Sequence, residues 1–226
     1  MISLLDQDLY AFTHSQVAFS QFPEVKVKYE FINRGGESFY DGFDQELQKI
    51  VWSMMDVKLS WDELEYLENL GYFKPNYLEW LYKFRYNPEQ VDIQWLEGKI
   101  SINIIGPWFR TCLWETPILA AISELYFKNH KINRSKAIEE AHGKVLYGLE
   151  HHASFSDFGT RRRFSYSLHE GIIEKCHQDL LGTSNVHLAR TFDLPTVGTM
   201  SHQGPMVMQA YNVQRSNGFW METWIK

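Results

Sequence analysis

Apolar and polar positions alternate with two different periods along this chain. Leu9, Phe12, Thr13 and Gln16 recur three or four residues apart, so Asp6 to Phe19 reads as a helix. Asp6 or Asp8 stands near its start, where a carboxylate suits the helix dipole. Val25-Lys26-Val27-Lys28-Tyr29-Glu30-Phe31 alternates at period two and predicts a strand with one wet face, ended by Arg34-Gly35-Gly36. Helices are predicted over Asp44 to Met55 and over Ser60 to Leu70, the second opened by the capping box Ser60-x-x-Glu63. A short helix follows at Asn76 to Leu81. Ile93 to Ile104 reads as a hairpin turning at Glu97-Gly98-Lys99. Trp52, Trp61, Trp80 and Trp95 read as core. Residues 1–110 therefore predict a small α+β unit.

Gly106-Pro107-Trp108 breaks the pattern. A long apolar helix from Leu113 to Phe127 and a second from Ser135 to His151 read as a connector over residues 111–152. Glu139, Glu140 and Lys144 face outward on the second. From residue 153 the rhythm becomes strand, turn, helix. Phe155 to Phe158 leads into Phe164 to Cys176, Gly182-Thr183-Ser184 into Asn185 to Arg190, and Thr196 to Met200 into a helix from His202. That alternation predicts an α/β fold class with a parallel sheet, whose sites lie at the C-terminal strand ends.

Composition narrows the partners. The 22 basic and 28 acidic residues leave a net charge of −6, which argues against nucleic acid. No apolar run is long enough to span a membrane, and the first residues lack the basic start of a secretory signal. Cys112 and Cys176 fit no metal spacing and read as reduced, structural thiols of a cytoplasmic protein. His151-His152 has no ligand partner at metal spacing, so no protein-ligated metal is expected.

The candidate chemistry lies between Asp157 and His202. Thr160-Arg161-Arg162-Arg163, Gly182-Thr183-Ser184-Asn185 and Gly198-Thr199-Met200-Ser201-His202 each close a short apolar run before a helix. Such turns aim unpaired backbone N–H groups at an anion, and a guanidinium fork binds two oxygens of a phosphate or carboxylate. Taken singly, the arginines also fit a solvated loop, Ser184 and Asn185 ordinary helix caps, and His202 a surface histidine.

In this order and spacing, Phe158-Gly159-Thr160-Arg161-Arg162-Arg163-Phe164, Gly182-Thr183-Ser184-Asn185 and Gly198-Thr199-Met200-Ser201-His202 resemble the nicotinate phosphoribosyltransferases. Leu4-Leu5-Asp6-Gln7-Asp8-Leu9-Tyr10 and the stretch from Leu113-Trp114-Glu115-Thr116-Pro117 to Glu124 match as well. The resemblance implies that residues 153–226 begin a TIM-like, type II phosphoribosyltransferase α/β barrel. It implies union of nicotinate with 5-phosphoribosyl 1-pyrophosphate, with ATP hydrolysis coupled through phosphorylation of the histidine matching His202. Mg²⁺ would accompany phosphoribosyl pyrophosphate and ATP. Tyr10 and Phe158 would stack on the pyridine ring, Tyr10 from a neighbouring subunit of a homodimer. Thr160, Arg161, Arg163, Ser184, Gly198 and Thr199 would line the substrates, with Arg161 or Arg163 on carboxylate or phosphate.

A closed barrel of this kind takes about 250 residues. The three strand–helix units after residue 150 are therefore expected to leave it incomplete, and 226 residues alone to lack turnover. Two alternatives stay open: a sister enzyme acting on nicotinamide, and a truncated homologue that dimerises with or regulates an intact copy. An acidic residue on the amide would mark the first, and the mass of the natural polypeptide would mark the second.

Overall fold

The computed structural model describes residues 2–225. Helix α1 (Leu9–Gln21) starts at Leu9, not Asp6, with Asp8 as its N-cap residue. A long-range pairing explains the delay. The Leu9 N–H donates to the Ser184 carbonyl at 2.8 Å, and the Val186 N–H donates to the Gln7 carbonyl at 3.0 Å. Backbone groups that would have opened the helix are thus committed to a segment about 175 residues later in the chain. The Asp8 side chain makes no capping bond either. Its oxygens are used in the site described below.

Strands β1 (Lys26–Glu30), β2 (Val91–Leu96) and β3 (Lys99–Pro107) form an antiparallel sheet in the order β1-β3-β2. The predicted hairpin joins β2 and β3 through Glu97 and Gly98, at φ 49° and 83°. Two successive left-handed residues match strand twist, and glycine takes the second without a Cβ penalty. Strand β3 runs on to Pro107, past the expected break, before a single helical turn. Helices α2 (Phe43–Ser53), α3 (Trp61–Asn69) and α4 (Pro75–Lys83) surround this sheet and α1. The capping box forms as predicted: the Glu63 N–H donates to Ser60 Oγ at 3.2 Å and the Ser60 N–H to Glu63 Oε2 at 2.9 Å. Ser3 also donates to Glu63, so one cap fastens the N-terminal segment.

The tryptophans correct one expectation. Trp52 and Trp61 are exposed, at 49% and 69%, while Trp80 and Trp95 are only partly buried against the core. Val51 occupies the inward position beside Trp52, and Trp61, first in α3, lies over Tyr82 at the surface. The tryptophans that fill the core are Trp108, Trp114 and Trp220. A hydrophobic period places a face to within one residue, and here the neighbour won.

Helices α5 (Trp108–Thr111), α6 (Glu115–Phe127) and α7 (Arg134–Glu150) lead to the second part. There β4 (Phe155–Asp157) and β5 (Leu180–Thr183) pair in parallel, and Thr183 bridges in parallel to Thr196. Helices α8 (Tyr166–Cys176), α9 (Val186–Thr191) and α10 (Gln203–Ala210) follow these three segments, which is the predicted alternation and an α/β fold. The last helix, α11 (Ser216–Ile225), buries Trp220 against Trp108, His14 and Phe22, with ring centroids 5.5, 5.2 and 6.2 Å away. One hydrophobic cluster accordingly runs from Leu4 to Trp220, and a smaller one (Ile173, Leu188, Ala189, Leu194) lies under α8 and α9.

Candidate functional site

The C-terminal ends of β4 and β5 meet the segment that precedes α1. Asp157, the last residue of β4, organises the first turn. Its carboxylate accepts from the Gly159 N–H at 2.9 Å, from Thr183 Oγ1 at 2.6 Å and from His169 Nε2 at 2.9 Å. Burial pushes this carboxyl upward, but the hydrogen bond and charge of His169, with Thr183 and Gly159, outweigh it and hold Asp157 below the ordinary carboxylate range. The closed turn leaves Phe158 exposed at its crest.

Gly182 opens the second turn at φ 155°, where a Cβ would come within 2.3 Å of the Pro195 carbonyl oxygen. Only glycine lets the Thr196 segment approach that closely. Asn185 caps α9, its Oδ1 accepting the Leu188 N–H at 3.0 Å, while its Nδ2 donates to Asp6 Oδ1 at 2.9 Å and Thr160 Oγ1 at 3.2 Å. Ser184 Oγ donates to Asp8 Oδ1 at 2.8 Å. Thr160 and Ser184 are both buried.

The three arginines part company. Arg163 is buried and engaged on every nitrogen: Nη1 and Nη2 reach the two oxygens of Asp6 at 2.6 and 2.8 Å, and Nε reaches Glu124 at 2.6 Å. Burial disfavours its charge, yet these carboxylates more than compensate and raise its pKa. Arg161 keeps one-third of its side chain exposed. Its Nε meets Asp8 at 3.1 Å and its Nη1 meets Glu115 at 3.1 Å, while Nη2 has no partner among the described residues. Arg162 points to solvent. Burial raises the pKa of Asp8 despite Ser184 and Arg161 beside it.

The third motif leads into α10. His202 is its N-cap residue and is exposed, as are Gly198 and Thr199 in the preceding loop. Gly198 faces Leu9, whose Cδ2 would be 3.2 Å from a Cβ there. Gln203 donates through Nε2 to Glu115 Oε2 and accepts through Oε1 from the Tyr29 hydroxyl. Glu115, His202, Gln203 and Tyr29 line one cavity of about 670 Å³, whose remaining wall is mostly apolar. Behind it lies His14, fully buried with neither ring nitrogen hydrogen-bonded among the described residues. Burial, with His202 adding to it, pushes the His14 imidazole down to about 3, so it is neutral at physiological pH.

Tyr10 is buried within its own chain, with the Arg161 guanidinium 5.4 Å from its ring centroid. A stacking role in a neighbouring subunit's site would require the side chain to leave this pocket. The structure thus brings Thr160, Arg161, Arg163, Ser184 and Tyr10 into one network, leaves Phe158 on its rim, and sets Gly198, Thr199 and His202 on the adjoining loop. The carboxylates that hold this network were not marked by sequence reasoning. Asp6 and Asp8 read as helix caps, and Glu115 as one letter of a longer motif; the signal was their number beside an arginine run that needs counter-ions.

Among the described residues no three His, Cys, Asp or Glu side chains cluster as a metal site, and no helix is long and apolar enough to cross a membrane. Cys112 and Cys176 are free and buried.

Comparison with known proteins bears on this arrangement. The family profile described as the nicotinate phosphoribosyltransferase (NAPRTase) N-terminal domain matches residues 5–123. The profile of the nicotinate phosphoribosyltransferase (NAPRTase) family matches residues 153–226. The chain is 41% identical to the nicotinate phosphoribosyltransferase of Desulforapulum autotrophicum, covering 94% of this chain and 57% of that protein. It is 37% identical to that of Methanococcoides burtonii, covering 99% and 61%. Among solved structures, the nicotinate phosphoribosyltransferase of Porphyromonas gingivalis superposes with a TM-score of 0.95 at 35% identity, over 100% of this chain and 60% of that one. That of Vibrio cholerae gives 0.88 at 30% identity, over 99% and 57%. The chain thus spans about 60% of the length of the relatives it matches. Two profiles and these likenesses cover nearly every residue of the site, and the chain belongs to the nicotinate phosphoribosyltransferase family.

Proposed function

We propose that the polypeptide carrying this chain joins nicotinate to 5-phosphoribosyl 1-pyrophosphate, giving nicotinate mononucleotide and pyrophosphate. The pyridine nitrogen would form the bond to the anomeric carbon as the bond to the diphosphate oxygen breaks, its electrons leaving with pyrophosphate. Positioning and charge stabilisation are most of what such a displacement requires. Mg²⁺ brought with the phosphorylated substrates would supply charge stabilisation to the leaving diphosphate.

One observation carries the reading: of the two inward arginines, Arg161 alone presents a guanidinium nitrogen without a partner among the described residues, in the turn after β4 where Asp8 links it to Ser184. Arg161 is therefore assigned the substrate anion, carboxylate or phosphate, and Arg163 the fastening of the turn to Asp6. Phe158 offers a ring face to the pyridine. Asp8 is only 2% exposed, with Ser184 and Arg161 on its oxygens, so this acid presents no open face to a substrate amide. That favours nicotinate over nicotinamide.

His202 is assigned the phosphoryl group of ATP: its ring nitrogen attacks the γ-phosphorus, ADP departs, and water later takes the phosphoryl group. A neutral imidazole is a competent nucleophile near neutral pH. Its place at the N-cap of α10 puts the added negative charge at the positive end of that helix. The proposed assembly is a cytoplasmic homodimer. The experiment is incubation of the full natural polypeptide with γ-labelled ATP, followed by digestion. Acid-labile, base-stable label is expected on His202 and absent from His202→Ala; label retained in that variant would remove His202 from the mechanism.

A further inference from the structure

We propose that Glu115 and Gln203 are positioning residues that keep Arg161 open to its anion and hold it in one frame with His202; this rests on the reading of Arg161 and His202 given above. Glu115 is the first residue of α6, and its two oxygens are divided. Oε1 meets Arg161 Nη1 at 3.1 Å, and Oε2 accepts from Gln203 Nε2. Gln203 directly follows His202, and its amide is fixed at both ends. The Tyr29 hydroxyl donates to its oxygen, which leaves the amide nitrogen to face the carboxylate, and the Gln203 N–H donates to Ser201 Oγ at 3.2 Å. Gln203 is buried, and the Glu115 side chain is only 15% exposed, so water does not readily replace either contact.

The division of the carboxylate is the functional point. A carboxylate beside an arginine prefers the two-point, fork-to-fork arrangement. Glu115 is kept from it because Gln203 holds the second oxygen. Without that hold, Glu115 can swing both oxygens onto Arg161 and compete with any ligand for the guanidinium, Nη2 included. Gln203 therefore restrains an internal competitor, and because it sits on α10 the restraint lasts only while that helix is in place. A shift of the histidine-bearing helix is thereby transmitted to the anion-binding arginine through one shared carboxylate.

The test is a double-mutant cycle on the full natural polypeptide, with KM and kcat measured for nicotinate and for phosphoribosyl pyrophosphate. Gln203→Met preserves volume and removes the amide. It is expected to raise the KM of whichever anion Arg161 holds at least fivefold, with kcat less affected. In a Glu115→Gln background, where the competing charge is gone, the same substitution should change that KM less than twofold. Gln203→Glu provides a second variant, with two facing carboxylates that share a proton at low pH. Its KM should approach wild type at low pH and rise as the pH increases, a dependence that a packing role would not produce. An equal rise of KM from Gln203→Met in both backgrounds, or no rise in either, with active wild type, overturns the proposal alone. An inactive wild-type polypeptide removes the functional reading and this proposal with it.

Discussion

Arg163 and Asp6 face each other as a buried two-point pair, 157 positions apart in sequence, with contacts of 2.6 and 2.8 Å. Their side chains are 5% and 1% exposed, so neither charge can turn to water when the other is removed. Asp6→Ala is predicted to destabilise the fold by about 3–5 kcal/mol, the usual cost of an orphaned buried charge. Urea unfolding of variant and parent measures it. A loss below about 1 kcal/mol would mean that Glu124 suffices to satisfy Arg163.

The two arginines should separate stability from binding. Arg163→Ala strands Asp6 and is expected to lower stability by an amount similar to Asp6→Ala. Arg161→Ala leaves Asp8 its bond from Ser184 and removes a side chain one-third in water, so its stability cost should be smaller, about 1–2 kcal/mol. Thermal melts of the two variants give the ranking; the reverse order contradicts the assignment of Arg163 as the fastener.

Asp157 makes a prediction with a definite sign. Its folded pKa lies below the ordinary 3.8, so its charged form stabilises the native state. That contribution is complete above the unfolded value and is lost as the pH falls through the folded one. The stability difference between parent and Asp157→Asn should therefore be present near pH 5 and shrink from roughly pH 4 to 2. Asp8 acts in the opposite sense, because its raised pKa makes its charge a cost that protonation relieves. Comparing each variant with the parent across pH keeps the two apart. A difference that widens from roughly pH 4 to 2 would contradict the Asp157 assignment.

Trp220 fastens α11 to α1 by packing on His14, Phe22 and Trp108. Trp220→Ala should cost about 3–5 kcal/mol through loss of burial and the cavity left behind. Trp61→Ala, an exposed residue, should cost about 1 kcal/mol or less. Equal losses from the two would mean that the core is centred elsewhere.

Local chemistry made much of the fold legible in advance. Glu97-Gly98 could close a two-residue hairpin, Ser60-x-x-Glu63 could open a helix, and the alternation after residue 153 could only build parallel strands. What stayed hidden depended on partners far along the chain. The α1 start moved to Leu9 because Ser184 and Val186 pair with the residues before it. Val51, not Trp52, turned into the core because periodicity does not choose between adjacent positions. At the site, resemblance pointed to an arginine run and a histidine. Only the placement of Asp6, Asp8 and Glu115 showed which arginine is engaged and which is open.

Arg161 as the receiver of the substrate anion is the central functional assignment. Its most direct test is nicotinate mononucleotide formation by the full natural polypeptide, wild type against Arg161→Ala, with nicotinate, phosphoribosyl pyrophosphate, Mg²⁺ and ATP. Product is expected from the wild type, with at least a hundredfold lower kcat/KM for the variant at a temperature where both are folded, a loss typical of removing a group that holds transition-state charge. A wild type that forms no product, or an Arg161→Ala variant as active as its parent, would contradict it.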